Sequence, residues 1–421
     1  MAQQHDLFDD IIDISKGIGA FKDPFAGLSD ALMGNGGTDA PEWNPAEYKE
    51  RPRANSIPCL ACKSDKSACR KCMGVCPVNA IQIEDGGIDI ADSCRKCGLC
   101  VAVCPVEAFN SPKIKPKELY DKIAGAAAAH ETAYVACTRA LRRPPRDNEV
   151  VVACVGDVPA ETWFSVMVDY PNVSVYLPLD ICTKCRNAQG EELLGDAIAT
   201  AEEWSGRSMG LEVDRKALKC NKRREYERKE FMDNIVKSTG LTVSKLNPAT
   251  AALMSVTQKL KAHNERISKL NRTLEQAVGV TNQKRRRVLT QRRQLVLSAL
   301  QQHPKRAKAI MHKTPECDFE RCVECGECVS ACPMHACDLN GAGRFIVEPT
   351  HCIGCGLCTE VCDAHALKLV EHDAQDLVVA DPDAEKKAAE AKKAHEDAEK
   401  LKAEAKKKLT KALDQVEKLA D

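Results

Sequence analysis

Aromatic residues are scarce in this chain: Phe, Trp and Tyr make up 4% of its 421 residues. Its domains are therefore not expected to be organised around large aromatic cores. No apolar run approaches the roughly 18 residues that a membrane-spanning helix needs, so no membrane span is expected. The start, Met1 to Asp10, is acidic and lacks both a basic segment and an apolar stretch, so no export signal is expected. Neither a dinucleotide-binding glycine fingerprint nor a phosphate-binding loop occurs, and no acid–base constellation stands out. Net charge is absent overall, with 61 Lys and Arg against 61 Asp and Glu, although it is unevenly distributed.

What the chain has in quantity is cysteine, 24 residues. Without an export signal, that abundance argues for metal binding in a reducing compartment and against disulfides. Spacing narrows it further. One segment runs Cys322-Val-Glu-Cys325-Gly-Glu-Cys328-Val-Ser-Ala-Cys332-Pro333, followed by Cys352-Ile-Gly-Cys355-Gly-Leu-Cys358-Thr-Glu-Val-Cys362. An earlier one contains Cys94-Arg-Lys-Cys97-Gly-Leu-Cys100-Val-Ala-Val-Cys104-Pro105, preceded by a looser set from Cys59 to Cys76. Three thiolates at two-residue steps wrap one face of an iron–sulfur cube, while a fourth, three residues on, reaches the other cube of a pair. Zinc ribbons use well-separated cysteine pairs instead. Each quartet is followed by a similar tail: Cys76-Pro-Val-Asn-Ala, Cys104-Pro-Val-Glu-Ala, Cys332-Pro-Met-His-Ala and Cys362-Asp-Ala-His-Ala. Between copies lie Asp85-Gly86-Gly87, flanked by Ile81, Ile83, Ile88 and Ile90, and Asn340-Gly341; both suit short hairpins.

The segments from Cys59 to Phe109 and from Cys317 to Val370 resemble the bacterial ferredoxin family with two 4Fe–4S clusters, carried twice. The resemblance implies an electron-transfer protein with four 4Fe–4S clusters. In the second module it assigns Cys322, Cys325, Cys328 and Cys362 to one cube, and Cys352, Cys355, Cys358 and Cys332 to the other. In the first, Cys94, Cys97 and Cys100 pair with Cys76, and Cys104 completes the remaining cube. Its other ligands come from Cys59, Cys62, Cys69 and Cys72, one more than needed. Cys59, Cys62 and Cys72 with an expanded loop is one choice, and Cys62 with the Cys69–Cys72 pair is the rival. Asp363 departs from the family's usual Pro and removes no ligand. Modules of about fifty residues bury too little to be robust alone, so ligation would supply much of their stability.

Residues 130–203 read as a small α/β unit, with apolar runs at Ala133–Cys137, Glu149–Val155 and Val173–Leu177 as strands. Cys137 and Cys154 end the first two strands, and Cys182 and Cys185 follow the third. Ligands of open α/β sheets collect at the carboxyl ends of strands, so the four thiols are expected to meet there. A fifth iron–sulfur cluster, a structural zinc and a redox dithiol at Cys182/Cys185 all remain open. The arrangement is loosely similar to the cysteine-rich domain of certain hydrogenase delta subunits. Lys184 and Arg186 are expected to lower the thiol pKa values. Cys220, Cys317 and Cys337 read as packed or free thiols.

From Arg215 to Lys313, Lys and Arg number 25 against six Asp and Glu. Asn247-Pro248 starts a helix whose seam, from Leu253 to Ala277, is interrupted only by His263; Gly279 stops it. A second helix is expected from about Thr281 to Gln302, with Leu289, Val296 and Leu300 on one stripe. Together they predict a basic antiparallel hairpin holding the two modules apart. It would serve as a docking arm for an acidic redox partner, a plain scaffold, or, from Lys284–Arg287 and Arg292-Arg293, a nucleic-acid surface; the near absence of stacking aromatics argues against the last.

The expected fold class is therefore α+β multidomain: two ferredoxin-like dicluster modules, a small α/β cysteine-rich domain and a basic antiparallel helical hairpin. The divisions are an acidic extension (1–55), the first module (56–118), the α/β domain (119–205), the basic region (206–313), the second module (314–372) and a charged Ala/Lys/Glu helical tail (373–421). The expected function is one-electron relay in the cytoplasm of an anaerobe or microaerophile. It would act as subunit or partner of a flavoprotein, hydrogenase or other oxidoreductase. The alternatives are a reductase whose α/β thiol site the modules feed, and an iron–sulfur nucleic-acid-binding protein.

Overall fold

The first module shows how a short segment poor in aromatics closes on itself. The structure, a computed structural model, describes residues 43–222, 263–274 and 286–380. Four short strands, β1 (Arg53–Ala54), β2 (Ile81–Glu84), β3 (Gly87–Ile90) and β4 (Phe109–Asn110), form two antiparallel pairs. β2 and β3 make the hairpin, with Ile81 opposite Ile90 and Ile83 opposite Ile88. Its turn places Asp85 and Gly86 at φ 49° and 70°, the left-handed pair that a two-residue hairpin loop requires. β1 pairs with β4 and ties the two ends of the module together. The helix α1 (Leu99–Val103) carries Cys100, and α2 (Pro116–Ala129) leads out of the module.

The α/β unit is a four-stranded, all-parallel sheet of β5 (Ala133–Cys137), β6 (Glu149–Val152), β7 (Val173–Tyr176) and β8 (Gly210–Glu212), in the order β6-β5-β7-β8. All residues of β5 and β6 are buried, as expected of parallel strands covered by helices. The one carboxylate among them, Glu149, accepts two bonds from the Arg143 guanidinium, at 2.6 and 2.5 Å, and one from Arg146 N–H at 2.8 Å. α3 (Ala160–Asp169) follows β6, and α4 (Gln189–Ser205) follows the loop after β7. α3 buries every residue from Thr162 to Val168, because it packs against α2, α4 and a later helix. β8 lies within the segment that the sequence assigns to the basic region, so the sheet runs past residue 205. It is an edge strand with Leu211 exposed, and its three residues give little periodic signal.

In the basic region, residues 263–274 are helical, and α5 spans Gln291–Gln302. Residues 286–290 are not helical. Thr290 caps α5, its hydroxyl accepting from Arg293 N–H at 3.3 Å, so Leu289 lies outside the helix and off the expected stripe. α5 buries Leu295 through Leu300 and packs on α3 and α2. His263, the break in the seam, is buried and stacks on Tyr120 of α2 with ring centroids 4.2 Å apart. Lys117 bonds to Asn264 beside it. The acidic extension up to residue 42, the remainder of the expected hairpin and the tail from residue 381 lie outside the described residues.

The second module repeats the first with a longer outer ladder. β9 (Met311–Cys317) pairs antiparallel with β12 (Leu367–Asp373) over seven residues, where β1 and β4 pair over two. β10 (Cys337–Leu339) pairs with β11 (Phe345–Val347). Their loop runs from Asn340 to Arg344, and Gly343 rather than Gly341 takes the left-handed conformation. Asn340 Oδ1 accepts from the N–H groups of Ala342 and Arg344 and holds the loop of this short hairpin.

The two modules are not held apart. Leu60, Ile81, Val106 and Phe109 of the first share one apolar core with Met334, Phe345, Leu357, Val361 and Leu367 of the second. Lys66, in the loop between Cys62 and Cys69, donates to the Val361 carbonyl at 3.3 Å and to Asp363 at 2.6 Å. Adjacent arginines of α5 grip one module each. Arg292 is buried and donates to the Cys104 carbonyl, to the Ala102 carbonyl at 2.8 Å and to Glu107 at 3.3 Å. Arg293 donates to the carbonyls of Pro349, Thr350 and Cys352 at 2.8, 3.1 and 2.9 Å.

Candidate metal centres

The four cysteine tails fold into the same turn. In each, the Ala four residues after the cysteine donates its N–H to the sulfur: Ala80 to Cys76 and Ala108 to Cys104 at 3.2 Å, Ala336 to Cys332 at 3.3 Å, Ala366 to Cys362 at 3.4 Å. The residue before each Ala (Asn79, Glu107, His335 and His365) is left-handed, with φ 49°, 50°, 51° and 49°. Asp363, in place of Pro, leaves this turn intact. A second repeat surrounds the middle cysteine of three copies. Lys96, Glu324 and Gly354 precede it at φ 57°, 55° and 64°, and Gly98, Gly326 and Gly356 follow it at 82°, 76° and 83°. The earliest copy lacks this turn: Cys59 caps the short helix Leu60–Lys63, and Arg70 has φ −136°. Its irregular spacing is thus matched by irregular backbone.

These turns gather the sulfurs crosswise. Cys322, Cys325, Cys328 and Cys362 line one cavity, walled by Leu339, Phe345 and Leu367 and joined by Cys317. Cys332, Cys352, Cys355 and Cys358 line a second, with Leu357 and Leu369 as walls and Cys337 beside them. In the first module Cys100 lies with Cys97, Cys94 and Cys76. Cys72 lies with Cys104, Cys59 and Cys69, and Cys62 bonds to Cys59. Cys59, Cys62, Cys69, Cys72 and Cys104 thus give five thiols for four positions.

The donor sets fit a cubic iron–sulfur cluster. Among the described residues, no three cysteine sulfurs lie within 4.8 Å of one another. A single tetrahedral zinc on thiolates needs sulfurs about 3.8 Å apart, from bonds of about 2.3 Å. Burial pushes Cys352 and Cys72 up to about 11, and Cys328 and Cys355 up to about 12, with neighbouring thiols adding to the effect. Thiols placed this way hold their protons until cations displace them. Cys332 runs the other way, lowered to about 6, first by a hydrogen bond from Cys337 and then by surrounding backbone N–H groups. Cys337, which the sequence leaves as a packed thiol, is buried between Cys332 and Cys358 and shares hydrogen bonds with both.

The α/β thiols also converge on the rim of their sheet. Cys137 ends β5 and lies near Cys185 and Cys182, while Cys154 lies near Cys137. Among the described residues, no three of these sulfurs all lie within 4.8 Å of one another. Cys182 is pushed up to about 11 by burial and by Glu191, with Arg139 opposing. The expected lowering by Lys184 and Arg186 is not seen there. Those residues turn their backbone carbonyls to Arg139, at 2.5 Å, and to Arg95.

An apolar contact also links this rim to the first module. Cys154 packs on Cys97 and Leu99 in a small apolar cluster. Gly190 leaves the space that Cys154 Sγ fills, since a Cβ there would stand 2.5 Å from the sulfur. Asp157 reaches across to Gly98, where a Cβ would meet its carboxylate at 2.7 Å. Cys220 is exposed, and Cys317 bonds to Cys322.

One other cluster, His312, His372 and Asp376, has no motif in the sequence: the β9–β12 register sets the two histidines opposite each other, and the turn after β12 brings Asp376 to them. Among the described residues, no helix is long and apolar enough to cross a membrane. A family profile described as a 4Fe-4S dicluster domain matches residues 321–367, and one described as a 4Fe-4S binding domain matches residues 88–110. Neither covers the α/β thiols. No curated protein and no solved structure matches the chain. The chain carries two ferredoxin-type 4Fe–4S domains, and they are iron–sulfur binding elements of the kind that transfers electrons.

Proposed function

We propose that the chain relays single electrons through four 4Fe–4S clusters, as subunit or partner of a larger redox enzyme. The observation that carries this reading is the crosswise gathering of thiols around shared apolar walls in both modules. Cys322, Cys325, Cys328 and Cys362 would hold one cluster, and Cys352, Cys355, Cys358 and Cys332 the second. Cys94, Cys97, Cys100 and Cys76 would hold the third. Cys59, Cys62, Cys72 and Cys104 would hold the fourth, because Cys59 and Cys72 are buried together while Cys69 is only half-buried. When bound, such clusters accept and release one electron at a time.

The chain's own residues would hold these sites close and shielded. Cys72 lies beside Cys100, and Cys328 beside Cys358, so ligands of the two sites in each module adjoin. The four alanine N–H groups donate to ligand sulfurs and favour added negative charge there. Arg287, Arg292 and Arg293 face Glu348, Glu107 and backbone carbonyls, so an acidic flavoprotein, hydrogenase or other oxidoreductase would dock on the remaining cations of the basic region. The test is anaerobic iron and sulfide quantification with EPR of the reduced protein. About sixteen irons per chain are expected for four cubes. Cys69→Ser should keep all of them, and Cys59→Ser should lose about four. The reverse pattern selects the rival ligand set, and about eight irons in total would overturn the four-cluster reading.

A second reading, a reductase whose site is Cys137, Cys154, Cys182 and Cys185, draws on the packing of Cys154 against Cys97. That contact would let the first module feed the α/β rim. Replacing Cys182 and Cys185 by Ser separates the two readings. Unchanged iron content together with undiminished electron delivery to an external acceptor would remove the α/β site from the function.

A further inference from the structure

Away from the cysteines, three side chains of the second module converge on one point. The ligand atoms of His312, His372 and Asp376 all lie within 4.8 Å of one another, and among the described residues no other such group occurs. Strand register creates the pair: His312 on β9 stands directly opposite His372 on β12. Their rings meet edge to face, with centroids 4.5 Å apart. β12 ends at Asp373, whose carboxylate accepts from Gln375 N–H and caps the turn Ala374–Leu377. That turn carries Asp376 back to both rings. His312 Nε2 lies 2.7 Å from Oδ1 of Asp376, and His372 Nε2 lies 3.4 Å from its Oδ2. Thr314 Oγ1 is 3.3 Å from His372 Nε2.

We propose that His312, His372 and Asp376 form a mononuclear site for a divalent cation of the zinc class. Two imidazoles and one carboxylate are ligands of that class, and the absence of thiolate sets the site apart from the iron–sulfur positions. Zinc–nitrogen and zinc–oxygen bonds of about 2.0–2.2 Å put tetrahedral ligand atoms about 3.3 Å apart. The His372–Asp376 separation already matches. The His312–Asp376 separation opens to it by a small rotation of an exposed carboxylate. Three protein ligands leave the fourth position to water.

The surroundings suit a bound ion. His312 Nδ1 is buried with no protein hydrogen-bond partner. The ring borders a cavity of about 280 Å³ lined also by Thr290, Arg293, Cys352 and Glu371. With Nδ1 enclosed, Nε2 is the nitrogen left to face Asp376 and an ion. Both rings sit on the β9–β12 ladder and none of the three ligands is a cysteine, so the proposal does not depend on the four-cluster reading.

The test uses the anaerobically prepared full-length holoprotein, with iron content recorded for every sample. After chelator treatment it is dialysed against zinc buffered at about 1 µM free ion, a concentration that fills sites of micromolar affinity or better. One zinc per chain is expected, absent from His312→Asn and His372→Asn and weakened at least tenfold in Asp376→Asn. X-ray absorption at the zinc edge should show only nitrogen and oxygen neighbours with imidazole outer-shell scattering. Zinc uptake unchanged by the substitutions, sulfur neighbours at about 2.3 Å, or no uptake by the wild-type holoprotein would each overturn the proposal. Asp376 lies in an exposed turn, so its variant keeps the test decisive if a histidine variant fails to fold.

Discussion

Removing the Cys337 thiol should lower the reduction potential of one cluster and leave the other three unmoved. Cys337 is 2% exposed and shares hydrogen bonds with Cys332 and Cys358, two proposed ligands of the same cube. A thiol carries one proton, so at any instant it donates to one of those sulfurs, and the loss is that of a single bond. Reduction adds negative charge to the cluster and its sulfurs, so a donor there stabilises the reduced form more than the oxidised one. The sign follows: without the donor the potential falls. A bond of this type contributes about 1 kcal/mol, which for one electron corresponds to about 40 mV. EPR-monitored redox titration of Cys337→Ala should show one midpoint shifted down by about that amount, while Cys337→Ser, which keeps a donor, should stay within about 10 mV of wild type. An upward shift, or equal movement in the Ala and Ser variants, would refute the assignment of Cys337 as a donor to ligand sulfur.

Arg292→Met should destabilise the fold by about 3–5 kcal/mol, because it strands the Ala102 and Cys104 carbonyls and weakens the pairing of Glu107. Denaturation followed by circular dichroism should show it, and an unchanged midpoint would mean that α5 does not clamp the first module. Gly98→Ala should cost about 1–3 kcal/mol and speed chelator-driven iron loss, since the residue sits at φ +82° with the Asp157 carboxylate in the place of a Cβ. Wild-type iron retention would contradict this. Burial, with help from Arg266 and Lys117, lowers His263 to about 3, so the native state keeps it neutral while the unfolded chain protonates near pH 6.5. The stability it contributes is whole above pH 6.5 and is lost as pH falls toward 3. The free-energy difference between wild type and His263→Phe should therefore change by about 1.4 kcal/mol per pH unit below 6.5, and a flat difference would disprove a neutral buried imidazole.

What was legible in the sequence was local. Cluster ligands sit on turns of four or five residues, so their spacing, repeated tails and glycines reflect backbone conformation directly. The uninterrupted apolar runs of β5 and β6 likewise identify strands buried on both faces. What failed depends on partners distant in the chain. Arg292 and Arg293 belong to a run of positive charge and invite a solvated or nucleic-acid reading, yet they are spent on carbonyls of two different modules. Lys66 and Asp363 look like an insertion and a departure from pattern, and only the packing of the modules makes them neighbours. His312 and His372 stand sixty residues apart with no motif around them, and a ladder register is not written in either strand alone.

The packing also changes what the two modules can be for. Had a hairpin separated them, two independent carriers would follow. Instead, the modules share one apolar core, and the polar contacts of Lys66, Arg292 and Arg293 fall on the site that contains Cys104. The Lys66 loop lies between its candidate ligands and reaches Asp363 beside Cys362, while Arg292 and Arg293 join its Cys104 carbonyl to that of Cys352. The other site of the first module, with Cys76, Cys94, Cys97 and Cys100, reaches the α/β rim through Cys97 and Cys154. A chain of contacts therefore runs from the second module, through the Cys104 site, to the site on Cys97 and on to the four α/β thiols. In such an order the Cys104 site is the middle step. Losing its ligands should cut electron passage between the second module and the α/β rim while leaving each end reducible from its own side. Two separate carriers would show no such break.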